Sequence, residues 1–571
     1  MGMRAKAVLR IRIVTGLILL GACVLVLRLY QVQILQGDAY RERAEGQYVH
    51  TVRDLYTRGN VYFETKDSER VSAATVQAGF VLAIDATRIT DPEGTYDALA
   101  RVIPLEREDF LERARRTERS YQEVYQKLSD EEADTIEALD LTGVQLYKTQ
   151  WRYYPGDDLA ARTIGFVGYR GNDLVGRYGL ERYYENTLKR DDERLSVNFF
   201  AELFSNLGNI VFHKEEDKEG NLVTSIEPTV ARALSGALKE TQEKWNSEMT
   251  GGIIMDPKTG EVYALDIVPT FNLNDRSDAT LDIFPNPLVE NVYEMGSIIK
   301  PLTIAAGLDT GVITPTSMYT DVGRMTLDGK TFSNYDGRAR GYVSVQEILN
   351  QSLNTGVAYV TLEMGTDVFR EYFLNLKLGS ETGIDLPGEI HGLVNNLNSP
   401  REIEYATASF GQGIALTPIA TVRALATLAN GGTLITPHIV REIEYEDGTV
   451  HEINFPEGQR IFSEETSEGI TQMLIKVVDE ALRGGADALP RYSIAAKTGT
   501  AQMSDQVEGG YYEDRFLHSF FGYFPAYEPR FLIFLYTVYP KEVRYASETL
   551  TEPFMDLTKF LINYYDIPPD R

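Results

Sequence analysis

The chain has 571 residues, 43% of them hydrophobic and 25% charged, a balance that suits a globular protein and excludes a disordered one. Its 56 Lys and Arg face 84 Asp and Glu, and the net charge of −28 excludes a nucleic-acid binder, whose surface must meet phosphate with cations. One cysteine excludes an intrachain disulfide and a multi-thiolate metal centre; with six scattered histidines, neither a metal nor a cofactor is expected.

Residues 1–12 are basic, with Arg4, Lys6, Arg10 and Arg12, and no acidic residue occurs before Asp38. From Ile13 the run IVTGLILLGACVLVL carries no charge, and Leu29, Val32, Ile34 and Leu35 extend it past Arg28. A helix needs about 20 apolar residues to cross the hydrocarbon, so 13–35 reads as a single transmembrane anchor with Arg28 snorkelling to the interface. The basic tail then stays in the cytoplasm and the remainder is exported. A lipoprotein site at Cys23 and a cleaved signal are the rival readings, but the apolar run continues past the cysteine and no A-x-A exit site follows.

Beyond the anchor, VHTV, GNVYF and GFVLAI read as short strands between Val49 and Ile84. Leu105 to Leu139 is charge-rich, and Phe110, Leu111, Tyr121, Val124, Tyr125 and Leu128 recur at helical spacing. A glycine-punctuated segment, Gly165 to Gly179, follows Arg152-Tyr153-Tyr154-Pro155. The texture changes at Leu222. PTVARALSGALKETQEKW, residues 228–245, predicts an amphipathic helix with Pro in its first turn. Two strand-like runs flanking Pro257-Lys258-Thr259-Gly260 predict a hairpin. Helical segments dominate from Met295 to Leu428, and strand-like runs return at 493–497, 518–524 and 531–539. Strands first, helices in the middle and strands last predict an α+β domain whose sheet is assembled from both ends.

Three short motifs stand in order in this second half. Ser297-Ile298-Ile299-Lys300 opens an apolar helix, so Ser297 and Lys300 share one helical face. Ser352-Leu353-Asn354 and Lys497-Thr498-Gly499-Thr500 follow. Each alone is weak: Ser196-Val197-Asn198 repeats the second and Lys258-Thr259-Gly260 the third, and both duplicates read as structural. Order and placement give the downstream set its weight.

The residue types suit acyl transfer. A serine hydroxyl needs an adjacent base, and a lysine with an ordinary pKa near 10.4 must lose about 3 units to serve as one at neutral pH. Burial behind Ile298 and Ile299 and the cation of Lys497 both act in that direction. Ser352 can relay a proton, Asn354 can hold Lys300 and a substrate amide, and Lys497 and Thr498 can bind a carboxylate. Gly499 permits close approach, and the backbone N–H groups of Ser297 and Thr500 form the expected oxyanion hole.

With these residues the sequence resembles the class B, monofunctional penicillin-binding proteins, and specifically their division-type, FtsI-like branch. Tyr293-Glu294-Met295-Gly296-Ser297, the run ASFGQGIALTP at 408–418, and Lys497-Thr498-Gly499-Thr500-Ala501-Gln502 resemble the family's blocks in order, as does PTFNLN at 269–274. Upstream, Arg58-Gly59-Asn60-Val61, Arg152-Tyr153-Tyr154-Pro155 and Gly179-Leu180-Glu181 resemble its non-catalytic pedestal. Met295, Arg162, Gln412 and the run Phe63-Glu64-Thr65-Lys66 depart from the usual pattern.

The resemblance implies a pedestal at 36–220 and a transpeptidase domain at 221–571, an antiparallel sheet with helices on both faces. It implies a peptidoglycan D,D-transpeptidase that releases D-Ala from stem peptides through an acyl-serine and is acylated by β-lactams. It further implies a single-pass protein of the bacterial plasma membrane whose partners are division proteins and a SEDS-type glycosyltransferase. The alternatives are an elongation-type transpeptidase, a D,D-carboxypeptidase or β-lactamase, and a β-lactam sensor or scaffold.

Overall fold

A computed structural model of the chain describes residues 57–171, 173–190, 219–505 and 509–571. Among them no helix is long and apolar enough to cross a membrane; the expected anchor at 13–35, the strand VHTV and Ser196-Val197-Asn198 lie outside the described residues. The described residues form two compact bodies, one of residues 78–151 and one of residues 57–77, 152–171, 173–190, 219–505 and 509–571.

In the smaller body, the end of the strand Arg70–Ile84 pairs antiparallel with Gln122–Leu128, so that Phe80 faces Leu128 and Ile84 faces Gln122. Leu82, Ile84, Leu99, Phe110, Leu128 and Ile136 make its core. This corrects the helical reading of 105–139. Helices cover Arg107–Ala114 and Asp130–Glu137, but Gln122–Leu128 between them is a strand. The spacing of Tyr121, Val124, Tyr125 and Leu128 fits a helix, yet the open edge at Phe80–Ile84 offers a ladder that β-forming Val124 and Tyr125 satisfy. Ser129 and Glu132 then start the next helix with a reciprocal capping box.

The larger body is built on a five-stranded antiparallel sheet. Its spatial order is Ala495–Ser504, Tyr511–Phe524, Phe531–Val538, Met249–Met255 and Val262–Val268. Two strands come from the start of the domain and three from its end, as the sequence pattern predicts. The Phe531–Val538 strand is buried at every position, because it lies inside the sheet. The predicted helix Pro228–Trp245 forms with those bounds, Glu227 capping it by accepting from Val230 N at 2.6 Å, and it packs against the two strands that follow it and the helix Thr551–Tyr564. Lys258-Thr259-Gly260 is a turn: Asp256 Oδ1 accepts from Lys258 N at 2.7 Å and Gly260 takes φ +89°. The duplicate tripeptide is structural.

A second sheet in this body joins Val450–Glu452, Val440–Tyr445, Gly220–Thr224 and Val61–Glu64. Beside it, the three upstream motifs meet around one carboxylate. Glu181, fully buried, accepts from Arg58 Nε and Arg152 Nε at 2.6 Å each, while Arg152 Nη1 donates to Gly59 O at 2.8 Å. Burial alone pushes Glu181 up, but Arg152 and Arg58 outweigh it and hold the carboxyl below its ordinary value.

Candidate active site

The turn that carries Ser297 is set by close backbone approach. Gly296 has φ +65°, its N–H donates to Gly411 O at 3.1 Å, and a Cβ on Gly411 would fall 2.2 Å from Gly296 O. Neither position admits a side chain. A 3₁₀ turn, Gly296–Ile299, runs directly into the helix Lys300–Asp309, whose residues are buried from Lys300 to Gly307. That helix packs against Asn354–Met364 and Glu464–Lys476, so Lys300 is fixed at the bottom of the site with no solvent exposure.

Lys300 points at the second motif. Its Nζ donates to Ser352 O at 2.6 Å and to Ser352 Oγ at 3.1 Å. Lys497 Nζ donates to the same Ser352 Oγ at 3.1 Å and to Thr498 O at 3.0 Å. One hydroxyl therefore joins all three motifs. Burial, and then the charge of Lys497, hold Lys300 well below the usual ammonium range; burial alone lowers Lys497 to about 7. Ser352 adopts φ +54°, a left-handed conformation uncommon outside glycine, and that turn brings its carbonyl and hydroxyl to the same amine.

Two expectations from the sequence meet a different geometry. The Ser297 hydroxyl makes no side-chain hydrogen bond with Lys300, whose amine is engaged by Ser352. Asn354 does not hold Lys300 either: its Nδ2 donates to Ser333 O at 2.9 Å. The single 3₁₀ turn between Ser297 and Lys300 fixes their shared face, but the lysine amine is claimed by the partner that arrives from the loop at 352.

The third motif lies on the edge strand Ala495–Ser504, whose free side meets the Gly296–Ile299 turn. A Cβ on Gly499 would lie 2.3 Å from Ser519 Oγ and 2.8 Å from Met295 O, so the glycine lets strand and turn touch. Ser519 Oγ donates to Met295 O at 2.8 Å and closes that contact. Thr500 Oγ1 accepts from Ala546 N at 3.1 Å. Across the ladder from Thr500, buried His518 bonds Arg544 O at 3.0 Å and Thr549 Oγ1 at 2.9 Å; burial lowers it to about 4, so it is neutral at ordinary pH.

Sequence reasoning missed several residues that hold this arrangement. Glu294 Oε1 accepts from Gly413 N at 2.9 Å and Tyr511 OH at 3.0 Å, tying the approach to the Ser297 turn to two other segments. Burial raises its carboxyl above the ordinary value although both bonds pull it down. Asp321 and Asn334 hold Thr355, the residue that follows Ser352-Leu353-Asn354. None of these residues stands near its partner in sequence; only the Tyr293–Ser297 block hinted at Glu294.

The family follows from residues 250–558, which match the penicillin binding protein transpeptidase domain, with 56–221 matching the penicillin-binding protein dimerisation domain. The chain belongs to the class B penicillin-binding proteins. It is 28% identical over 540 residues to stage V sporulation protein D of Bacillus subtilis, covering 92% of this chain and 81% of that protein. It is 28% identical over 500 residues to the probable peptidoglycan D,D-transpeptidase FtsI of Caulobacter vibrioides, covering 86% and 75%. The fold is that of penicillin binding protein 3 from Mycobacterium tuberculosis, solved with aztreonam: TM-score 0.67 at 20% identity, covering 90% of this chain and 98% of that one.

Proposed function

We propose that this penicillin-binding protein is a peptidoglycan D,D-transpeptidase whose reaction runs through Ser297. The observation that carries the assignment of roles is the convergence of Lys300 and Lys497 on Ser352 Oγ. Ser297 Oγ attacks the carbonyl of the penultimate D-Ala of a stem peptide, and neutral Lys300 takes its proton. The amide C–N bond breaks, and Ser352 passes a proton to the departing D-Ala amine. An amine from a neighbouring stem then attacks the acyl ester, restores the Ser297 hydroxyl and leaves a cross-link.

Asn354 would hold the donor amide and Lys497 with Thr498 the terminal carboxylate. Gly499 keeps the strand close, and Ser297 N–H and Thr500 N–H would bind the oxyanion. The separation of Ser297 from Lys300 fits a free enzyme, because catalytic hydrogen bonds tighten when substrate binds. β-Lactams, carrying a strained amide and a carboxylate, would acylate the same serine.

The division-type reading rests on Tyr293-Glu294-Met295-Gly296 and is supported by the FtsI relative. With it come the anchor at 13–35 in the bacterial plasma membrane, a pedestal at 36–220, an extracytoplasmic catalytic domain at 221–571, and a SEDS-type glycosyltransferase and division proteins as partners.

Covalent labelling with a fluorescent penicillin, read by gel and intact mass, tests the core of the proposal. A stable adduct on wild type that is absent from Ser297→Ala is expected. Rapid penicillin hydrolysis instead would make the protein a hydrolase, and an adduct that persists in Ser297→Ala would remove Ser297 as the nucleophile. Supplying a D-Ala-D-Ala peptide with and without an amine acceptor separates transpeptidation from carboxypeptidation by the product formed.

A further inference from the structure

We infer that Asp321 and Asn334 are positioning residues for the transpeptidase reaction, holding Ser352 and Asn354 in register with the two lysines; this rests on the functional reading above. The helix Asn354–Met364 begins at the last residue of the second motif, and its own cap residue, Leu353, supplies no side-chain acceptor. The first N–H groups of a helix need one. Asn334, from the segment that follows the strand Lys330–Ser333, provides it: Asn334 Oδ1 accepts from Thr355 N at 3.2 Å. The adjacent Ser333 O accepts from Asn354 Nδ2 at 2.9 Å. Two consecutive residues of one segment thus grip two consecutive residues at the helix start.

Asp321 fixes the gripping side. Asn334 Nδ2 donates to both of its carboxylate oxygens at 3.1 Å, and Thr355 Oγ1 donates to Oδ1. The remaining capacity of the carboxylate is filled by Arg340 N at 2.7 Å and Gly323 N at 3.3 Å. Asp321, Asn334 and Thr355 are 1%, 1% and 2% exposed, so this network lies in the interior and water does not substitute for its members. On the other flank, Arg340 Nε donates to Gln351 Oε1 at 2.7 Å, one residue before Ser352, while its two outer nitrogens hold Asp336 at 3.0 and 2.9 Å. Both sides of Ser352-Leu353-Asn354 are therefore tethered to residues 321–340.

The consequence is chemical. Ser352 is held in a left-handed conformation, and its hydroxyl sits 3.1 Å from each lysine amine. A shift of about 1 Å at such a site costs on the order of 100-fold in rate. Loosening Thr355 releases the start of the helix, and with it the one atom on which both amines converge.

The test separates position from stability. Asn334→Ala removes the acceptor of the Thr355 N–H; Asp321→Asn turns one acceptor oxygen into a donor against the N–H groups of Arg340 or Gly323 and adds no buried charge; Val230→Ala, a core truncation in the helix Pro228–Trp245, is the stability control. With active sites titrated, stopped-flow acylation by a fluorescent penicillin is expected to slow about 10- to 100-fold in the Asp321 and Asn334 variants. The non-covalent binding constant should stay within about threefold, and Val230→Ala should acylate at the wild-type rate despite its lower melting temperature. Hydrogen exchange over residues 349–358 is expected to quicken in the Asp321 and Asn334 variants. Wild-type acylation rates in those two variants, or an equal loss of rate in Val230→Ala, would overturn the inference. So would unchanged exchange at 349–358, which decides the matter even for a wild type that never acylates Ser297 and so fails the transpeptidase reading itself.

Discussion

Lys300 and Lys497, 197 positions apart by number, donate to one acceptor, Ser352 Oγ, each at 3.1 Å. A hydroxyl has two lone pairs and one proton. With both lone pairs taken by amines, its own proton is directed away from them. Ser352→Ala removes that bridge and leaves both lysines in place. Penicillin acylation of Ser297 is expected to fall about 10²- to 10⁴-fold, the range of a lost proton-transfer group, with folding retained. Acylation within threefold of wild type would show that Ser352 carries no proton.

The same two amines make the site a source of instability that varies with pH. Lys497 titrates at about 7 in the folded protein, whereas an unfolded lysine titrates near 10.4. Below pH 7 both states hold the proton and the contribution is constant. Between the two values only the unfolded chain holds it, so stability rises with pH. Lys497→Met should therefore be more stabilising at pH 6 than at pH 9. Comparing urea unfolding at pH 7 and 9, the rise seen in wild type should shrink by about 2 kcal/mol in the variant, at 1.36 kcal/mol per unit. Equal slopes in the two proteins would place the proton elsewhere.

Much of this was legible in the sequence, for particular reasons. The helix Pro228–Trp245 declares its start through Pro228 and its face through Val230, Leu234 and Leu238. The sheet strands declare themselves by continuous apolar runs. Gln122–Leu128 misled because Tyr121, Val124, Tyr125 and Leu128 carry helical spacing, and the pairing edge that overrides it comes from Phe80–Ile84, remote in sequence. The site behaves the same way. Residue types and order mark Ser297, Ser352 and Lys497, but the hydrogen bonds that turn Asn354 to Ser333 and Lys300 to Ser352 are long-range and leave no local trace.

The buried charge cluster around Glu181 gives a stability prediction independent of catalysis. Glu181→Gln takes from Arg152 the carboxylate at 2.6 Å and leaves Arg58 with Glu185, and removal of one member of a buried ion network costs about 3–5 kcal/mol. Because the folded carboxyl lies below its ordinary value, its contribution is complete above that value and is lost as pH falls through the depressed one. Urea unfolding at pH 7 should show the full deficit, and the gap from wild type should narrow on acidification. A variant as stable as wild type at pH 7 would show that the two guanidiniums find other acceptors.

Gly499→Ala probes the contact between the edge strand and the turn that carries Ser297. The added Cβ would sit 2.3 Å from Ser519 Oγ and 2.8 Å from Met295 O, the two atoms that hydrogen-bond each other at 2.8 Å. Ser519 can rotate, but Met295 O is backbone, so the strand must back away from Gly296-Ser297. That motion carries Lys497 and the N–H of Thr500 with it, because both lie within two residues on the same strand. The strand's inner side stays paired with Tyr511–Phe524, so the fold survives at a cost of about 1–3 kcal/mol for overpacking. The expected result is folded protein with acylation by penicillin reduced at least 10-fold, and a partial return of rate in Gly499→Ala with Ser519→Gly, where the nearest clash is gone. Normal acylation in Gly499→Ala would mean that the strand and the turn approach each other less closely than these contacts require.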